Sequence, residues 1–414
     1  MKILHVSDVF VRHGGGAPNV ILELGKRQVQ HGHTVTVATF QHHPDWPLEE
    51  EIDGIRVRRA PLRVGLLEKL WPFYLSGYRH MSRLGRELVK DFQPDIVHVH
   101  MPFSGAAVLV SVDPTTPVVY TFHGSWAEEY EVEASGLKRE LGFYQLEQVL
   151  MRWFEKRALD RADKIVTLSE FMQERARRYG VEPRLDWEII PAGVDHQKFK
   201  IQNSKFKIEF KQRHNIPENS FFAITVRRLA RRMGLTELVQ AVSLIKKEIP
   251  GFYLVIGGKG EMGPIINSQL STLHLQNHIR LEGFIAEEEL PDYLAAADLF
   301  VLPTQALEGF GLINLESMAS GTPVVGTPVG AIPEVIGAFN SDLVTSGSEP
   351  HQIAEGMIRF YREYYVKKND EIRQQAREYA EGFSWEKMME KYEEVYGEVL
   401  NGRIVGWLGA CVVL

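Results

Sequence analysis

Short apolar runs rich in β-branched residues alternate with longer amphipathic helical patterns along most of the chain. Two parallel strands need a long crossover between them, and a helix usually supplies it, so this alternation favours parallel sheets covered by helices. In the first half, strands are predicted at residues 3–6, 34–39, 96–100, 118–121 and 164–168. A second series is predicted at residues 221–226, 253–256, 279–281, 299–302 and 323–326. The sequence therefore predicts an α/β protein of two Rossmann-like domains, whose facing strand ends form one cleft for ligands.

The boundary between the two series is marked by a short predicted strand at residues 186–194 and by the polar, Lys-rich stretch 197–211 that follows it. Such a change of composition is typical of a domain boundary. We place the segments at residues 1–195, 196–382, 383–400 and 401–414. The third is predicted as an amphipathic helix, and the fourth as an apolar tail too short to span a bilayer.

Composition narrows the class of protein. The 414 residues are 44% apolar and 24% charged, and the net charge of -7 gives no electrostatic basis for a nucleic-acid partner. The single cysteine, Cys411, cannot form an intramolecular disulfide. The sequence has no run of about 20 uncharged apolar residues, so no membrane-spanning helix is predicted. The first residues are typical of a strand rather than of a signal peptide. We therefore expect a cytoplasmic protein.

The segment 56–74 is compatible with peripheral contact with a membrane. This segment mixes five cations with leucines, a tryptophan and a phenylalanine, a composition that can lie at an anionic surface and admit a lipid acceptor. The alternative is a loop that packs on its own domain.

Three glycines, Gly14 to Gly16, follow the first predicted strand and precede a helix. Without Cβ atoms, backbone N–H groups can approach a phosphate or a sugar at a helix N-terminus, although such a run also marks flexible turns. The spacing does not match the dinucleotide fingerprint, which disfavours a nicotinamide-dependent dehydrogenase.

Histidines stand at the ends of two predicted strands. His123 could donate or accept a hydrogen bond with a substrate hydroxyl, or it could be structural. His98 and His100 share one face of their strand by alternation. We expect no metal there, because the other ligands would be distant and no acid lies at metal-ligand spacing.

An arginine-rich loop follows the first strand of the second series. Guanidinium groups beside a helix N-terminus suit a pyrophosphate, since each can donate two parallel hydrogen bonds, although a solvated basic turn is the alternative. The four cations are Arg227, Arg228, Arg231 and Arg232.

The most specific pattern is the string EGFGLINLE, in which seven residues separate Glu308 from Glu316. Backbone N–H groups at residues 310–313 could hold sugar hydroxyls or phosphate oxygens, and each carboxylate can accept hydroxyl hydrogen bonds. Paired carboxylates alone would also be compatible with glycoside hydrolysis. The neighbouring arginines favour an activated sugar donor instead.

With these motifs the chain resembles the retaining glycosyltransferases of family 4, which have the GT-B fold, over roughly residues 1–400. The resemblance lies in the strings GGGAPNV, DIVHVHMP and TFHG, in the arginine-rich loop, and in the spaced pair of glutamates. It implies that the first domain binds the acceptor, that the second binds a nucleotide sugar, and that the helix 383–400 packs back toward the first. It also implies that neither a divalent metal nor any other cofactor takes part.

The resemblance implies catalytic roles for His123, near the reacting carbon of the transferred sugar, and for Glu308, which would hold sugar hydroxyls. Arg228 would bind the pyrophosphate, Glu316 the ribose hydroxyls, and residues 283–285 the base. The donor-binding residues so implied are Gly15, Gly16, Arg228, Arg232, Gly283, Phe284, Ile285, Phe310, Gly311, Leu312 and Glu316.

One departure from the family pattern concerns the phosphate site. The family usually has a lysine immediately before the glycine, where this chain has Met233 before Gly234. We predict that Arg232 supplies the missing cation, since an uncompensated phosphate charge in a water-poor cleft is costly.

The implied reaction moves a sugar to an acceptor hydroxyl with retained anomeric configuration, by a front-face route in which the leaving phosphate helps take the acceptor proton. The acceptor is unspecified and could be a saccharide, a lipid or a small molecule. Two alternatives stay open: a catalytically silent protein that binds nucleotide sugars, and a GT-B-fold epimerase that needs no acceptor.

Overall fold

The computed structural model describes residues 1–12, 14–62, 72–133 and 143–411. The chain forms two compact units, and each is α/β as predicted. The first comprises Met1–Pro191 together with Trp385–Leu414, and the second comprises Ala192–Ser384. The first unit is therefore discontinuous in sequence.

The first unit is built on one eight-stranded sheet. Its strands are β1 (Lys2–Val6), β2 (Thr34–Gln41), β3 (Glu49–Ile52), β4 (Ile55–Pro61), β5 (Ile96–Val99), β6 (Val118–Phe122), β7 (Lys164–Thr167) and β8 (Glu188–Ile189). They lie in the order β3-β4-β2-β1-β5-β6-β7-β8, and all neighbours are parallel except β3 and β4. Every residue of β5 and β6 is buried, as is typical of parallel strands covered on both faces.

The described helices of this unit cover that sheet. They are α1 (Gly16–Gln30), α2 (Pro72–Phe92), α3 (Pro102–Leu109), α4 (Trp126–Glu133), α5 (Phe143–Asp160), α6 (Glu170–Arg177) and the last helix of the chain, α15 (Trp385–Cys411). Among the described helices, none combines the length and the apolar content that crossing a bilayer needs.

The last helix, α15, belongs to the first unit, where it contacts α1 and β6. Tyr392 and Tyr396 on its apolar side are fully buried. The helix runs to Cys411, past the predicted end at residue 400. Extending an existing helix costs less than starting one, and no proline interrupts residues 401–411.

The hairpin of β3 and β4 was missing from the predicted strands. Asp53 and Gly54 join the two strands with φ angles of 52° and 81°, as in the turns that match the twist of a hairpin. The segment 49–52 reads EEEI and lacks an apolar run, so its strand conformation depends on pairing with β4.

The second unit has a five-stranded, fully parallel sheet. Its strands are β9 (Phe221–Val226), β10 (Phe252–Gly257), β11 (Ile279–Gly283), β12 (Leu299–Leu302) and β13 (Val324–Gly326), in the order β11-β10-β9-β12-β13. Each predicted strand of the second series lies within two residues of these bounds. Strands β9 and β12 are neighbours, so the order reverses between them. In sheets of this kind, ligands bind beyond the carboxyl ends of the strands at that reversal.

The helices of the second unit are α7 (Ser204–Arg213), α8 (Leu235–Glu248), α9 (Gly263–Thr272), α10 (Leu290–Ala296), α11 (Leu312–Ala319), α12 (Ile332–Phe339), α13 (Pro350–Phe360) and α14 (Val366–Ala380). Part of the polar stretch expected between the domains is helical, because Asn203 caps α7 by accepting a hydrogen bond from the Phe206 N–H.

Candidate functional site

The strand-order reversal of the second unit brings an arginine and a glutamate together. Arg227 follows β9, and Glu308 lies in the loop between β12 and α11. Arg227 Nη2 donates to Glu308 Oε2 at 2.8 Å, and the Thr304 hydroxyl donates to the same oxygen at 3.0 Å. Arg227 Nη1 also donates to the Thr304 hydroxyl at 2.8 Å. Both hydrogen bonds to the Glu308 carboxylate therefore use Oε2.

The backbone around Glu308 is held in a demanding conformation. Leu307 has a φ angle of 59°, which a residue with a Cβ adopts at a cost. The Glu308 carbonyl accepts a hydrogen bond from the Ala331 N–H at 2.9 Å, and a Cβ on Gly330 would lie 2.2 Å from that carbonyl oxygen. The neighbouring segment thus approaches so closely that glycine is required at residue 330.

Helix α11 begins beside the Glu308 carboxylate. Gly311 has a φ angle of 76°, and a Cβ there would lie 3.6 Å from Glu308 Oε1 and 2.5 Å from Asn314 Nδ2. The Asn314 side chain is fully buried, and neither of its polar atoms has a hydrogen-bond partner in the structure. Phe310 is buried and Leu312 is the first residue of the helix. A buried amide without partners beside a carboxylate oxygen and a helix N-terminus fits a polar ligand.

The predicted phosphate-binding arginines lie on the same loop in different settings. Arg228 is exposed, whereas Arg232 is half-buried, in the short 3₁₀ turn Arg231–Met233. Arg232 Nη1 donates to the carbonyl of Leu307, the residue immediately before Glu308, at 3.3 Å. Burial lowers the pKa of Arg227, the charge and hydrogen bond of Glu308 raise it, and the Arg232 charge lowers it further.

The predicted base-binding residues follow β11. The Gly283 carbonyl accepts a hydrogen bond from the Gly258 N–H at 2.6 Å, and Ile285 is buried. Phe284 between them is 65% exposed, and Lys259 Nζ lies 5.8 Å from the centre of its ring. An exposed aromatic ring with a cation beside it can stack on a heterocyclic base.

Glu316, at the C-terminal end of the same pattern, lies on α11. Burial raises the pKa of this carboxyl to about 7, while the charge of Lys198 lowers it and that of Glu287 raises it. Lys198 itself donates to Glu287 at 2.7 Å. Glu316 therefore changes charge near neutral pH.

In the first unit, Gly15 and Gly16 stand at the N-terminus of α1. Gly15 has a φ angle of 82°, and among the residues that the structure describes a Cβ on either glycine would have no neighbour within 4 Å. Open space around helix N–H groups is compatible with an approaching anion.

His123 follows β6 and belongs to a cluster of four histidines. Its Nε2 lies 3.0 Å from His100 Nδ1, and His100 Nε2 lies 2.9 Å from His5 Nδ1. Burial lowers the pKa of His123 and of His5 to about 4, and it places those of His98 and His100 well below the usual value. All four imidazoles are neutral at pH 7.

The expectation that other ligands would be distant from His98 and His100 was wrong. His5 lies on the neighbouring strand β1, and one ring nitrogen from each of the three histidines falls within 4.8 Å of the others. This geometry could hold a metal ion. However, the ring nitrogens already pair with protein groups, so an ion would have to displace hydrogen bonds.

Sequence reasoning also missed the contact that holds Glu308. Arg227 was among the four arginines, but the pyrophosphate role went to its neighbour Arg228. Side-chain alternation along β9 was the available signal, because successive residues of a strand point in opposite directions. No sequence pattern indicated that Asn314 could bind a polar ligand.

Two protein families match the chain in adjoining segments. The family "Glycosyltransferase Family 4" matches residues 14–198, and "Glycosyl transferases group 1" matches residues 206–380.

Curated relatives extend over most of the chain. It is 26% identical over 370 residues to the "GDP-mannose-dependent alpha-(1-6)-phosphatidylinositol monomannoside mannosyltransferase" of Mycobacterium tuberculosis (strain CDC 1551 / Oshkosh), covering 86% of this chain and 88% of that protein. It is 24% identical over 399 residues to the "N-acetyl-alpha-D-glucosaminyl L-malate synthase" of Bacillus anthracis, covering 94% and 97%.

Solved structures share the fold. Sucrose-phosphate synthase from Thermosynechococcus elongatus superposes with a TM-score of 0.78 at 21% identity, covering 97% of this chain and 99% of that one. Anabaena Alr3699/HepE in complex with UDP-glucose superposes with a TM-score of 0.72 at 19% identity, covering 96% and 100%.

Proposed function

Because the chain belongs to glycosyltransferase family 4 and has the GT-B fold, we propose that it transfers a sugar from a nucleotide-diphosphate donor to an acceptor hydroxyl, with retained anomeric configuration and without a divalent metal. The observation that carries the proposal is the Glu308 carboxylate at the strand-order reversal. Arg227 and Thr304 hold it by Oε2. Its Oε1 thereby stays oriented toward the start of α11, as a fixed acceptor for sugar hydroxyls.

Cations and backbone amides of the second unit would balance the diphosphate charge. Arg228 is exposed on the loop after β9, and Arg232 lies beside Leu307. The N–H groups that begin α11 add the positive end of a helix dipole. In this proposal Arg232 replaces the lysine that the family usually places before Gly234. Gly15 and Gly16 would offer further amides from the first unit.

The nucleoside would lie against the residues that follow β11. Phe284 would stack on the base, the backbone of Gly283 and Ile285 would contact its edge, and Glu316 would accept hydrogen bonds from ribose hydroxyls. The named relatives and structures differ in donor: the mycobacterial relative is named for GDP-mannose, and the Anabaena structure contains UDP-glucose.

In the reaction, the acceptor oxygen forms a bond to the anomeric carbon on the face from which the diphosphate leaves. The bond between that carbon and the phosphate oxygen breaks, and the leaving oxygen takes the acceptor proton. Glu308 would hold the sugar hydroxyls, and His123 would contact the same sugar. Their contribution is orientation and charge stabilisation rather than nucleophilic attack.

Donor identity can be tested by thermal stabilisation. A ligand that binds the native state raises the apparent unfolding temperature, so UDP-, GDP- and ADP-sugars are compared at equal concentration. We expect one nucleotide class to stabilise the protein. No shift with any of them would contradict the proposal.

Substitutions distinguish the role of Glu308 in turnover from the role of Arg228 in donor binding. Glu308→Ala should lower turnover by at least 100-fold with a smaller change in donor affinity, whereas Arg228→Ala should mainly weaken donor binding, by about tenfold or more. Arg231→Ala is the control, because Arg231 is an exposed cation on the same loop. The reverse pattern would mean that the roles are misassigned.

The reaction products distinguish the two remaining alternatives. A silent binding protein would bind the donor without releasing nucleoside diphosphate, and an epimerase would convert the donor sugar in the absence of acceptor. Retained anomeric configuration is measured by NMR of the isolated product.

We also propose peripheral contact with an anionic bilayer, through a surface on α5. Within the segment first considered, residues 63–71 lie outside the described part of the structure. On α5, Val149 is 65% exposed and Trp153 is 50% exposed. They border a groove of about 600 Å³ whose lining includes four cations and a single acid. The cations are Arg152, Lys156, Arg157 and Arg161.

A half-exposed tryptophan flanked by cations is typical of a surface that binds at a membrane interface. We expect sedimentation with vesicles that contain anionic lipid, weakening as salt rises, and a shift of Trp153 fluorescence to shorter wavelength. The double variant Arg152→Glu/Arg157→Glu should lose most binding. Lys205→Glu, at an exposed cation of the second unit, should keep it. Equal sedimentation of all three proteins would exclude this surface.

A further inference from the structure

The mechanism proposed above uses His123 but not the buried chain of side chains that ends at it. It runs from His123 through His100 and His5 to Gln28 on α1. The three contacts measure 3.0, 2.9 and 2.7 Å, all within hydrogen-bond distance. His5, His100 and Gln28 are at most 1% exposed, so water does not compete for these contacts.

Each imidazole in this chain carries a single ring proton. Burial keeps the pKa of His5 and His123 near 4 and that of His100 well below its usual value, so none is protonated twice at pH 7. A neutral imidazole has one N–H donor and one bare nitrogen acceptor. The position of the proton on one ring therefore fixes its position on the next.

The amide of Gln28 determines the direction of the chain. Its Oε1 can only accept, so His5 donates from Nε2 and leaves Nδ1 bare. His100 then donates from Nε2 to His5, and its bare Nδ1 accepts from His123 Nε2. His123 is left with a proton on Nε2 and a lone pair on Nδ1.

The orientation of the Gln28 amide is itself held from the other side. Gln28 Nε2 donates to the Tyr396 hydroxyl at 2.9 Å. That hydroxyl also lies 2.7 Å from His98 Nδ1, and His98 Nε2 lies 2.7 Å from the Thr121 hydroxyl. This second branch satisfies the amide N–H and opposes a flip of the side chain.

The end of the chain supports the same tautomer. His123 Nδ1 is buried and has no hydrogen-bond partner in the structure. A buried donor without a partner is rarer in proteins than an acceptor without one, so a bare Nδ1 is the less costly arrangement. It also leaves an acceptor ready for a ligand hydroxyl.

We propose that Gln28 is a positioning residue that fixes the tautomer of His123, with the proton on Nε2, so that Nδ1 accepts a hydrogen bond from a hydroxyl of the transferred sugar. The contact between His123 and the sugar rests on the proposed function, whereas the assignment of the tautomer does not. Three hydrogen bonds, through His5 and His100, separate Gln28 from His123, and Gln28 itself does not contact the substrate.

The test is NMR of the full chain labelled with ¹⁵N-histidine, without donor, because ring-nitrogen shifts and ring-proton couplings distinguish the two tautomers. In the wild type, we expect His123 to be protonated at Nε2, with its signal identified by its loss in His123→Asn. In Gln28→Met, which keeps similar length but has no acceptor, we expect a mixture of tautomers or the Nδ1–H form. Gln30→Met, at an exposed position of the same helix, should match the wild type.

Tyr396→Phe provides a second variant if Gln28→Met does not fold. It keeps the contact between Gln28 and His5 but removes the hydroxyl that orients the amide, so the His123 signals should also become mixed. A wild-type His123 protonated at Nδ1, or tautomers unchanged in both variants, would overturn the proposal.

Sugar transfer is measured separately, which distinguishes this proposal from the proposed function. We expect Gln28→Met to lower kcat/KM about tenfold, corresponding to one hydrogen bond, with the fold retained by circular dichroism. If His123→Asn leaves transfer unchanged, the contact with the sugar is wrong although the tautomer result stands. If the tautomer shifts and transfer does not, Gln28 has no positioning role.

Discussion

Glu316 combines a half-buried setting with a role that needs charge. Burial raises the pKa of its carboxyl to about 7, so the folded protein holds this proton more tightly than the unfolded chain does. The stability gained from that proton is fully present below about pH 4.5 and is lost as the pH rises through 7. A carboxylate ready to accept ribose hydroxyls therefore costs the folded protein stability at alkaline pH.

We predict that Glu316→Gln raises the free energy of unfolding at pH 8 by about 1–3 kcal/mol and leaves it nearly unchanged at pH 5, since each pKa unit corresponds to about 1.4 kcal/mol. Urea denaturation at both pH values measures this. Glu218→Gln, at an exposed site of the same unit, should show no such difference. Equal gains at pH 5 and pH 8 would mean that the carboxyl does not titrate between them.

At the residue scale, the sequence indicated chemical types better than partners. The spacing of Glu308 and Glu316 and the arginine cluster could be read directly, because they are local in the chain. The partner of Glu308 could not, since Arg227 is 81 residues away and differs from Arg228 only in the direction of its side chain. His5 was missed for the same reason, as 95 residues separate it from His100.

At the scale of elements, the loop between β12 and α11 depends on the segment that follows β13. Gly330 has a φ angle of 63°, and an added Cβ would lie 2.2 Å from the Glu308 carbonyl oxygen. The two segments can stay together only if residue 330 has no side chain. This contact explains how an extended loop holds a carboxylate in one place.

We predict that Gly330→Ala lowers the free energy of unfolding by about 1–3 kcal/mol and weakens donor binding, because strain and a clash fall on the backbone of Glu308. Gly337→Ala is the matched control. Its Cβ would meet only Val344 Cγ2, at 3.6 Å, and alanine favours the helix α12, so stability should rise by up to about 1 kcal/mol. Calorimetry and donor titration of both variants check this. A stable Gly330→Ala with unchanged affinity would show that the loop can move aside.

Elements with an apolar run were predicted well, and those defined by pairing were not. Parallel strands such as β5 and β10 are short, fully buried and mostly apolar, so their residues alone indicate them. Strand β3 is acidic and exists because β4 lies beside it. The first residues of α7 fall in a stretch that its lysines led us to assign to a linker.

At the scale of the whole molecule, the two units can be observed separately. All seven tryptophans lie outside residues 192–384, so tryptophan fluorescence reports on the first unit. That unit also contains the cluster of His5, His98, His100 and His123, whose pKa values burial lowers. For a base with a lowered pKa, the stability it contributes is present above the unfolded value of 6.5 and is lost as the pH falls toward the folded one.

We therefore predict that the unfolding midpoint of the first unit, followed by tryptophan fluorescence in urea, falls steeply between pH 6.5 and pH 4. One such imidazole accounts for up to about 3 kcal/mol by pH 4. Burial raises the pKa of Glu155 to about 7 and also raises the pKa of Asp8. These two carboxyls oppose the loss, but they are two groups against four. A midpoint that is constant over this range would show that the histidine cluster takes up protons without unfolding.

The discontinuity of the first unit has a consequence for biosynthesis. A ribosome completes residues 192–384 before it makes α15, whose Tyr392 and Tyr396 fill the space beside Thr121 and Gln28. The first unit lacks this helix until the residues after 384 have been made, whereas all residues of the second unit are present once residue 384 has left the exit tunnel. During translation the second unit can therefore complete its fold before the first unit does, although synthesis of the first unit begins earlier.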